Sequence, residues 1–212
     1  TKFTQEKHSK NCTPMIITCK NPRAFLLSLL LTVPMLVMAE DGYRLWLRYD
    51  KIDNVAILDN YRKALSQAVV EGSSETMHAV RNELKLGLEG LLDREIALAD
   101  KPLPGKVLIV GRPKNSAMLQ ALGLGERLDT RGKEGYTIFQ AKTGTHDAII
   151  ITANSDIGLL YGTFRFLQHL QTQGSLRNID ISSRPKTELR LLNHWDNLDG
   201  SVERGYAGGS LW

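Results

Sequence analysis

Hydrophobic residues recur along this chain with two different periods, and the switches between them mark out its elements. Tyr43, Leu45, Leu47 and Tyr49 alternate with Arg44, Trp46 and Arg48, which predicts a strand ending at Tyr49. Trp46 lies on its polar face, where it is either a ligand platform or, as favoured here, a ring buried beneath a neighbouring helix. Residues 60–70 are expected to be helical. Ser73 or Ser74 then offers an N-cap before Met77, Val80, Leu84, Leu88 and Leu91, spaced as one apolar helix face. Lys85, Glu89 and Arg94 are read as its solvated side. Pro102 and Pro104 with Gly105 break the pattern, and residues 106–110 read as a fully buried strand. Gly111-Arg-Pro-Lys follows, but it lacks the spaced glycines and Lys-Ser/Thr pair of a phosphate loop, so it is read as a turn before a short helix over 116–122.

Residues 135–141 alternate again, and residues 147–153 form a second apolar strand. Asn154-Ser-Asp156 is an N-cap signal for a helix whose core face carries Leu159, Leu160, Phe164, Leu167 and Leu170. Gly158 and Gly162 lie four apart in that helix, a placement that costs stability unless another element packs closely there. His169, near its end, is read as a solvated or capping residue. Residues 179–181 suggest a short edge strand, and Ser182-Ser-Arg-Pro185 a linker, because proline forces extended backbone on its predecessor.

The first 39 residues follow other rules. Lys20 and Arg23 precede a fifteen-residue apolar stretch, 24–38, with Val37 and Ala39 at the small-residue positions before a cleavage site. That layout is a secretory signal peptide cleaved after Ala39, preceded by upstream residues with no fold of their own. Fifteen residues fall short of the roughly 20 that cross a bilayer, so no stable membrane anchor is expected. Residues 1–39 hold five of the 27 Lys/Arg, one of the 23 Asp/Glu and both cysteines. The rest has 22 of each charge, giving no case for a nucleic-acid partner, and neither a disulfide nor a thiolate ligand. A periplasmic or secreted location follows as an expectation. No His/Asp/Glu set has metal-ligand spacing, and no cofactor is implied.

The densest chemistry lies at the end. An apolar lead-in, 189–192, gives way to Asn193, His194, Trp195, Asp196, Asn197 and Asp199, then to Glu203, Arg204 and a small-residue stretch, 205–210. A strand ending in such a cluster is how ligand sites are built on α/β scaffolds. The expected domains are therefore 40–181, a mixed α/β (α+β) domain with its own core; a linker, 182–188; and a new element from 189 to 212.

Residues 41–49, 193–199 and 203–208 resemble glycoside hydrolase family 67, the microbial α-glucuronidases. Residues 158–170 are similar to a helix in the non-catalytic domain preceding the barrel of β-hexosaminidases. The resemblance implies an N-terminal α/β domain followed by a (β/α)8 barrel, with residues 189–192 as its first strand. It further implies removal of glucuronic acid, often 4-O-methylated, from xylo-oligosaccharides with inversion. Such inversion needs a carboxylic acid and a carboxylate base roughly 6.5–9.5 Å apart. In the family these come from later barrel strands. A barrel takes about 250 residues, and 24 follow Glu188. No catalytic residue is therefore expected in this chain, and Asp196, Asp199 and Glu203 are not assigned as acid or base.

What the resemblance leaves here is part of a sugar pocket. Trp195 offers a flat apolar surface to the sugar ring. His194 and Asn197 hydrogen-bond hydroxyls, and Arg204 pairs with a carboxylate. The competing reading has Asp196, Asn197 and Arg204 bracing the loop. Gly209 departs from the larger residue that the family pattern leads one to expect. A homodimer of the complete protein is compatible with the family. The alternative function is a non-catalytic carbohydrate-binding or accessory domain, resting on Trp46, Trp195 and Trp212, or an exported domain with a purely structural role.

Overall fold

The five residues Val107–Gly111 (β3) are buried on both faces and form the middle of the protein. The computed structural model describes Arg44 and residues 47–191. Six strands lie in the order β2-β1-β3-β5-β4-β6. They are β1 (Gln67–Val70), β2 (Ala97–Ala99), β3, β4 (Tyr136–Thr143), β5 (His146–Ala153) and β6 (Asp180–Ser183). Strands β1, β2, β3 and β5 run parallel, while β4 runs antiparallel to both its neighbours, β5 and β6. The fold is mixed α/β.

Alternation along the central strands divides the core in two. Leu108, Val110, Ile149 and Ile151 face a layer built by α1 (Val55–Ala64), α2 (Glu75–Leu92) and α5 (Asp156–Gln171). Val107, Ile109, Ala148 and Ile150 face the other way, where α3 (Ala117–Gln120) and α4 (Gly125–Asp129) bring Leu119, Leu124 and Leu128. The strands are apolar throughout because both faces are covered. Met77, Val80, Leu84, Leu88 and Leu91 of α2 are buried, as their spacing predicts, and each contributes roughly 1.5–3 kcal/mol of transfer free energy.

Local signals place the helix starts. The Ser74 hydroxyl accepts from the Met77 amide, that of Ser116 from Leu119, and that of Ser155 from Gly158. Gly158 and Gly162 let α5 lie close on the sheet. A Cβ on Gly162 would stand 2.7 Å from Ile151 Cγ2, and one on Gly158 2.7 Å from the Gly135 carbonyl oxygen. His169 contacts the Ser175 carbonyl through Nε2 at 3.0 Å, beyond the helix end. Strand β6 is the sheet's edge beside β4.

Four expectations are corrected. The helix expected over 60–70 is two elements: α1 ends at Ala64, and the fully buried, β-branched end of that span is strand β1. Its helix begins earlier, at the Asn54 cap. The strand expected to end at Tyr49 does not reach it. Leu47 and Arg48 lie in a turn, the Leu47 N–H donates to the Arg44 carbonyl, and Tyr49 is left-handed at φ 54°. Tyr49 is buried instead as a core residue, its hydroxyl donating to Glu83.

Arg94 is not on a solvated face. Its Nη2 donates to the carbonyls of Arg62 and Leu65 at 2.6 and 2.9 Å, satisfying the end of α1. Phe164 is not on the core face of α5; Phe166 fills the core and Phe164 lies part-buried outside it. The core face is Leu159, Phe166, Leu167 and Leu170.

Candidate functional site

His194, Trp195, Asn197 and Arg204 lie outside the described residues, as do Trp46 and Trp212. What the structure describes is the platform from which that segment departs. Strand β6 is held on β4 by the register Ile138–Ile181, Thr137–Ser182 and Tyr136–Ser183. The Ser182 hydroxyl donates to Thr137 Oγ1 at 2.8 Å. Asp180 pairs with Arg127, whose guanidinium also lies 4.3 Å above the Phe139 ring.

After β6 the chain turns over the sheet end. Arg184 Nη1 reaches the Thr130 carbonyl at 3.3 Å. Arg190 pairs with Glu134, donates to the Thr187 carbonyl at 2.5 Å and bonds Tyr161 on α5. The linker is thus tied to α5 and to the loop before β4 at a residue only three positions ahead of Asn193. Residues 189–191 carry no strand. Leu189 and Leu191 are 73% and 82% exposed, since no described strand lies beside them to pair with. Two grooves flank the linker. One, of about 560 Å³, includes Tyr136, Tyr161, Phe164, Pro185 and Arg190. The other, of about 400 Å³, includes Arg131, Lys133, Glu134 and Glu188.

A second polar cluster sits at the carboxyl ends of the parallel strands, the usual position of ligand sites in open α/β sheets. Arg112 Nη1 meets Asp156 Oδ1 at 3.1 Å, and the Ser74 hydroxyl donates to Asp156 Oδ2 at 2.7 Å. Asp156 therefore joins the end of β3 to the starts of both α2 and α5. The Ser74 hydrogen bond, with Arg112 adding to it, holds its carboxyl below the usual range. Glu71, just past β1, behaves oppositely. Burial pushes its carboxyl up, and a hydrogen bond from Ser116 offsets part of the effect.

A carboxyl raised by burial is one signature of a general acid. Glu71, however, lines neither groove beside the linker, nor the more distant clefts around Lys106 and Gln140. Asp156 has both oxygens occupied. The cluster braces three elements. Glu71 did not stand out in the sequence and Asp156 did so only within an N-cap signal, because the elements that bring them together are far apart along the chain. Among the described residues no group of three or more His, Cys, Asp or Glu is placed to hold a metal ion. Among them, too, no helix is long and apolar enough to cross a membrane.

The N-terminal domain of glycosyl hydrolase family 67 matches residues 45–166, and its middle domain matches residues 169–212. The chain belongs to glycosyl hydrolase family 67. Among its relatives, alpha-glucuronidase A of Emericella nidulans is 30% identical over 203 residues, covering 90% of this chain and 22% of that protein. The probable alpha-glucuronidase A of Aspergillus terreus is 31% identical over 183 residues, or 84% and 20%. That of Aspergillus oryzae is 28% identical over 189 residues, or 88% and 22%. The chain thus spans about a fifth of the length of the curated relatives it matches. Among solved structures, a GH138 enzyme targeting pectin rhamnogalacturonan II aligns with 57% of this chain and 16% of its own, at 17% identity and a TM-score of 0.39. The GH67 middle-domain match includes every residue of the terminal polar cluster, 193–204.

Proposed function

We propose that the whole protein is an α-glucuronidase that hydrolyses glucuronic acid, with or without a 4-O-methyl group, from xylo-oligosaccharides with inversion. One observation carries the reading: the family 67 match runs from residue 45 to residue 212 with a two-residue gap, and the curated relatives sharing that span are named α-glucuronidases. The polar cluster supports it. Trp195 supplies the flat apolar face that a pyranose ring packs on, His194 and Asn197 donate to or accept from its hydroxyls, and Arg204 suits the uronate carboxylate by its bidentate geometry.

The acid and the base come from elsewhere in the complete protein. This segment contributes binding and orientation, which act on the barrier by holding the sugar where the reaction occurs. Export to a periplasm or the medium, with cleavage after Ala39, fits a substrate released from a polysaccharide that the cell meets outside its cytoplasm.

The test is Trp195→Ala in the complete enzyme acting on aldotetraouronic acid. The expected outcome is a fall in kcat/KM of at least about tenfold, equivalent to ~1.4 kcal/mol, with the circular dichroism spectrum unchanged. Unaltered kinetics would remove Trp195 from the pocket. An enzyme that leaves glucuronic acid on every aldouronic acid tried would remove the activity itself.

A further inference from the structure

A cleft lies at the amino ends of the parallel strands. It is made of two adjoining hollows, of about 620 and 320 Å³, that share Ala64, Lys106 and Gln140. The linker leaves from the other end of the sheet, since Ser183 pairs with Tyr136 and Tyr136 with Ala153, the last residue of β5. The larger hollow runs between α1, at Asn60 and Tyr61, and the loop 173–177 that follows α5. The smaller one continues along Lys142 and Asp147 of the β4–β5 hairpin.

Charge in this cleft is uneven. Lys106, Lys142 and Arg177 line it against one acid, Asp147, which stands opposite Lys142 in register. All four are exposed. Among the described residues no ion pair or side-chain hydrogen bond engages the three cationic heads. Asn60, Gln140 and Gln173 add amides, which both donate and accept. The Gln140 carbonyl oxygen is taken by the Asn178 N–H at 3.0 Å, which leaves its NH2 group to donate.

The loop that forms one wall is pinned. Tyr61 donates to the Gly174 carbonyl at 2.6 Å, and His169 Nε2 meets the Ser175 carbonyl at 3.0 Å. Gln173 sits at φ 58°, just past the helix end, where glycine is the usual residue. Glycine stands one position later instead, where a Cβ would lie 2.1 Å from the His169 ring. A side chain kept at a strained position that lines a cleft points to use by a ligand.

We propose that this cleft binds an acidic oligosaccharide, its carboxylate held by Lys106 and Arg177 and its hydroxyls by Asn60, Gln140 and Gln173. Cations without an internal partner select an anion, and the amides between them suit a polyhydroxylated chain. The volumes fall in the range of roughly 300–1,000 Å³ that ligand clefts occupy. With Asp147 as its one lining carboxyl, the cleft holds the ligand without hydrolysing it. The choice of a uronate-bearing xylo-oligosaccharide as the ligand rests on the α-glucuronidase reading.

The experiment is isothermal titration of the whole 212-residue chain with aldotetraouronic acid, and with xylotriose as the neutral control. Binding should be at least about tenfold weaker for xylotriose, and for the acid in a Lys106→Ser/Arg177→Ser variant, since each removes one side of the charge pairing. Gln173→Gly should weaken binding while raising Tm, because glycine takes the left-handed backbone without strain. No heat with the acid, equal affinity for xylotriose, or unchanged affinity in either variant would each overturn the proposal. Loss of binding confined to Trp195→Ala would overturn it too, and would leave the proposed activity standing. A complete enzyme inactive on aldouronic acids, beside a chain whose binding needs Lys106 and Arg177, would strike the activity alone.

Discussion

Two carboxylates near the ends of the parallel strands respond to their surroundings in opposite senses. Glu71 is half-buried, and its desolvation outweighs the hydrogen bond from Ser116, so its folded pKa lies above the unfolded value. The folded state then holds its proton more tightly. Glu71 favours folding most below about pH 4.3, where Glu titrates in unfolded chains, and that advantage is lost as pH rises through the folded pKa. Asp156 is held down by Ser74 and Arg112. Its stabilisation is present above the unfolded pKa of about 3.9 and disappears as pH falls through the folded value. Glu71→Gln should therefore raise Tm at pH 7 and leave it unchanged near pH 3.5. Asp156→Asn should lower Tm at pH 7 and lose its effect in stronger acid. Melting curves of both variants across this range decide the matter, and two shifts of the same sign would contradict the environments described.

Helix α5 carries the main element-scale argument. A Gly-to-Ala change inside a helix ordinarily gains about 1 kcal/mol of propensity. At Gly162 the new Cβ would press on Ile151 Cγ2 at 2.7 Å and on Tyr136 Cβ at 3.2 Å. Overpacking of this sort costs about 1–3 kcal/mol, so close approach wins over propensity. Urea unfolding of Gly162→Ala should show a net loss; a gain would mean that α5 lies farther from β4 and β5 than described. The same closeness explains why α5 has two faces of different character. Its glycines bring Phe166 and Leu170 into the core, and Tyr161 and Phe164 on its other side line the linker groove. Arg94 works between elements in a related way, reaching from the end of α2 to the last carbonyls of α1.

For the molecule as a whole, the described residues make a two-sided sheet with long helices on one face and short ones on the other, ending in a linker tied down at Arg184 and Arg190. Inverting hydrolysis requires a carboxylic acid and a carboxylate base facing one another across the sugar; the proposed function takes both from elsewhere in the complete protein. The purified 212-residue chain is expected to release no glucuronic acid from aldotetraouronic acid under conditions where the complete enzyme does. Measurable release by the chain alone would place the acid and base within it and overturn their assignment to later barrel strands.

Periodicity and caps determined much of this protein before any packing was known. Ser74 and Ser155 mark the starts of α2 and α5, the apolar row of α2 is buried as spaced, and the apolar runs 106–110 and 147–153 read as strands that fall within a residue of β3 and β5. These signals are local, so they survive in the sequence. The resemblance of residues 41–49, 193–199 and 203–208 to family 67 was likewise legible without any coordinates. Tertiary structure decided the remainder. It turned residues 67–70 into a strand because parallel neighbours on both sides satisfy their backbone, whatever the helical periodicity upstream suggested. It chose Phe166 over Phe164 through the rotation at which the glycines of α5 meet the sheet. It gave Arg94, Glu71 and Asp156 their partners, because a long-range hydrogen bond depends on which chain ends a fold brings together, and no period along the sequence records that.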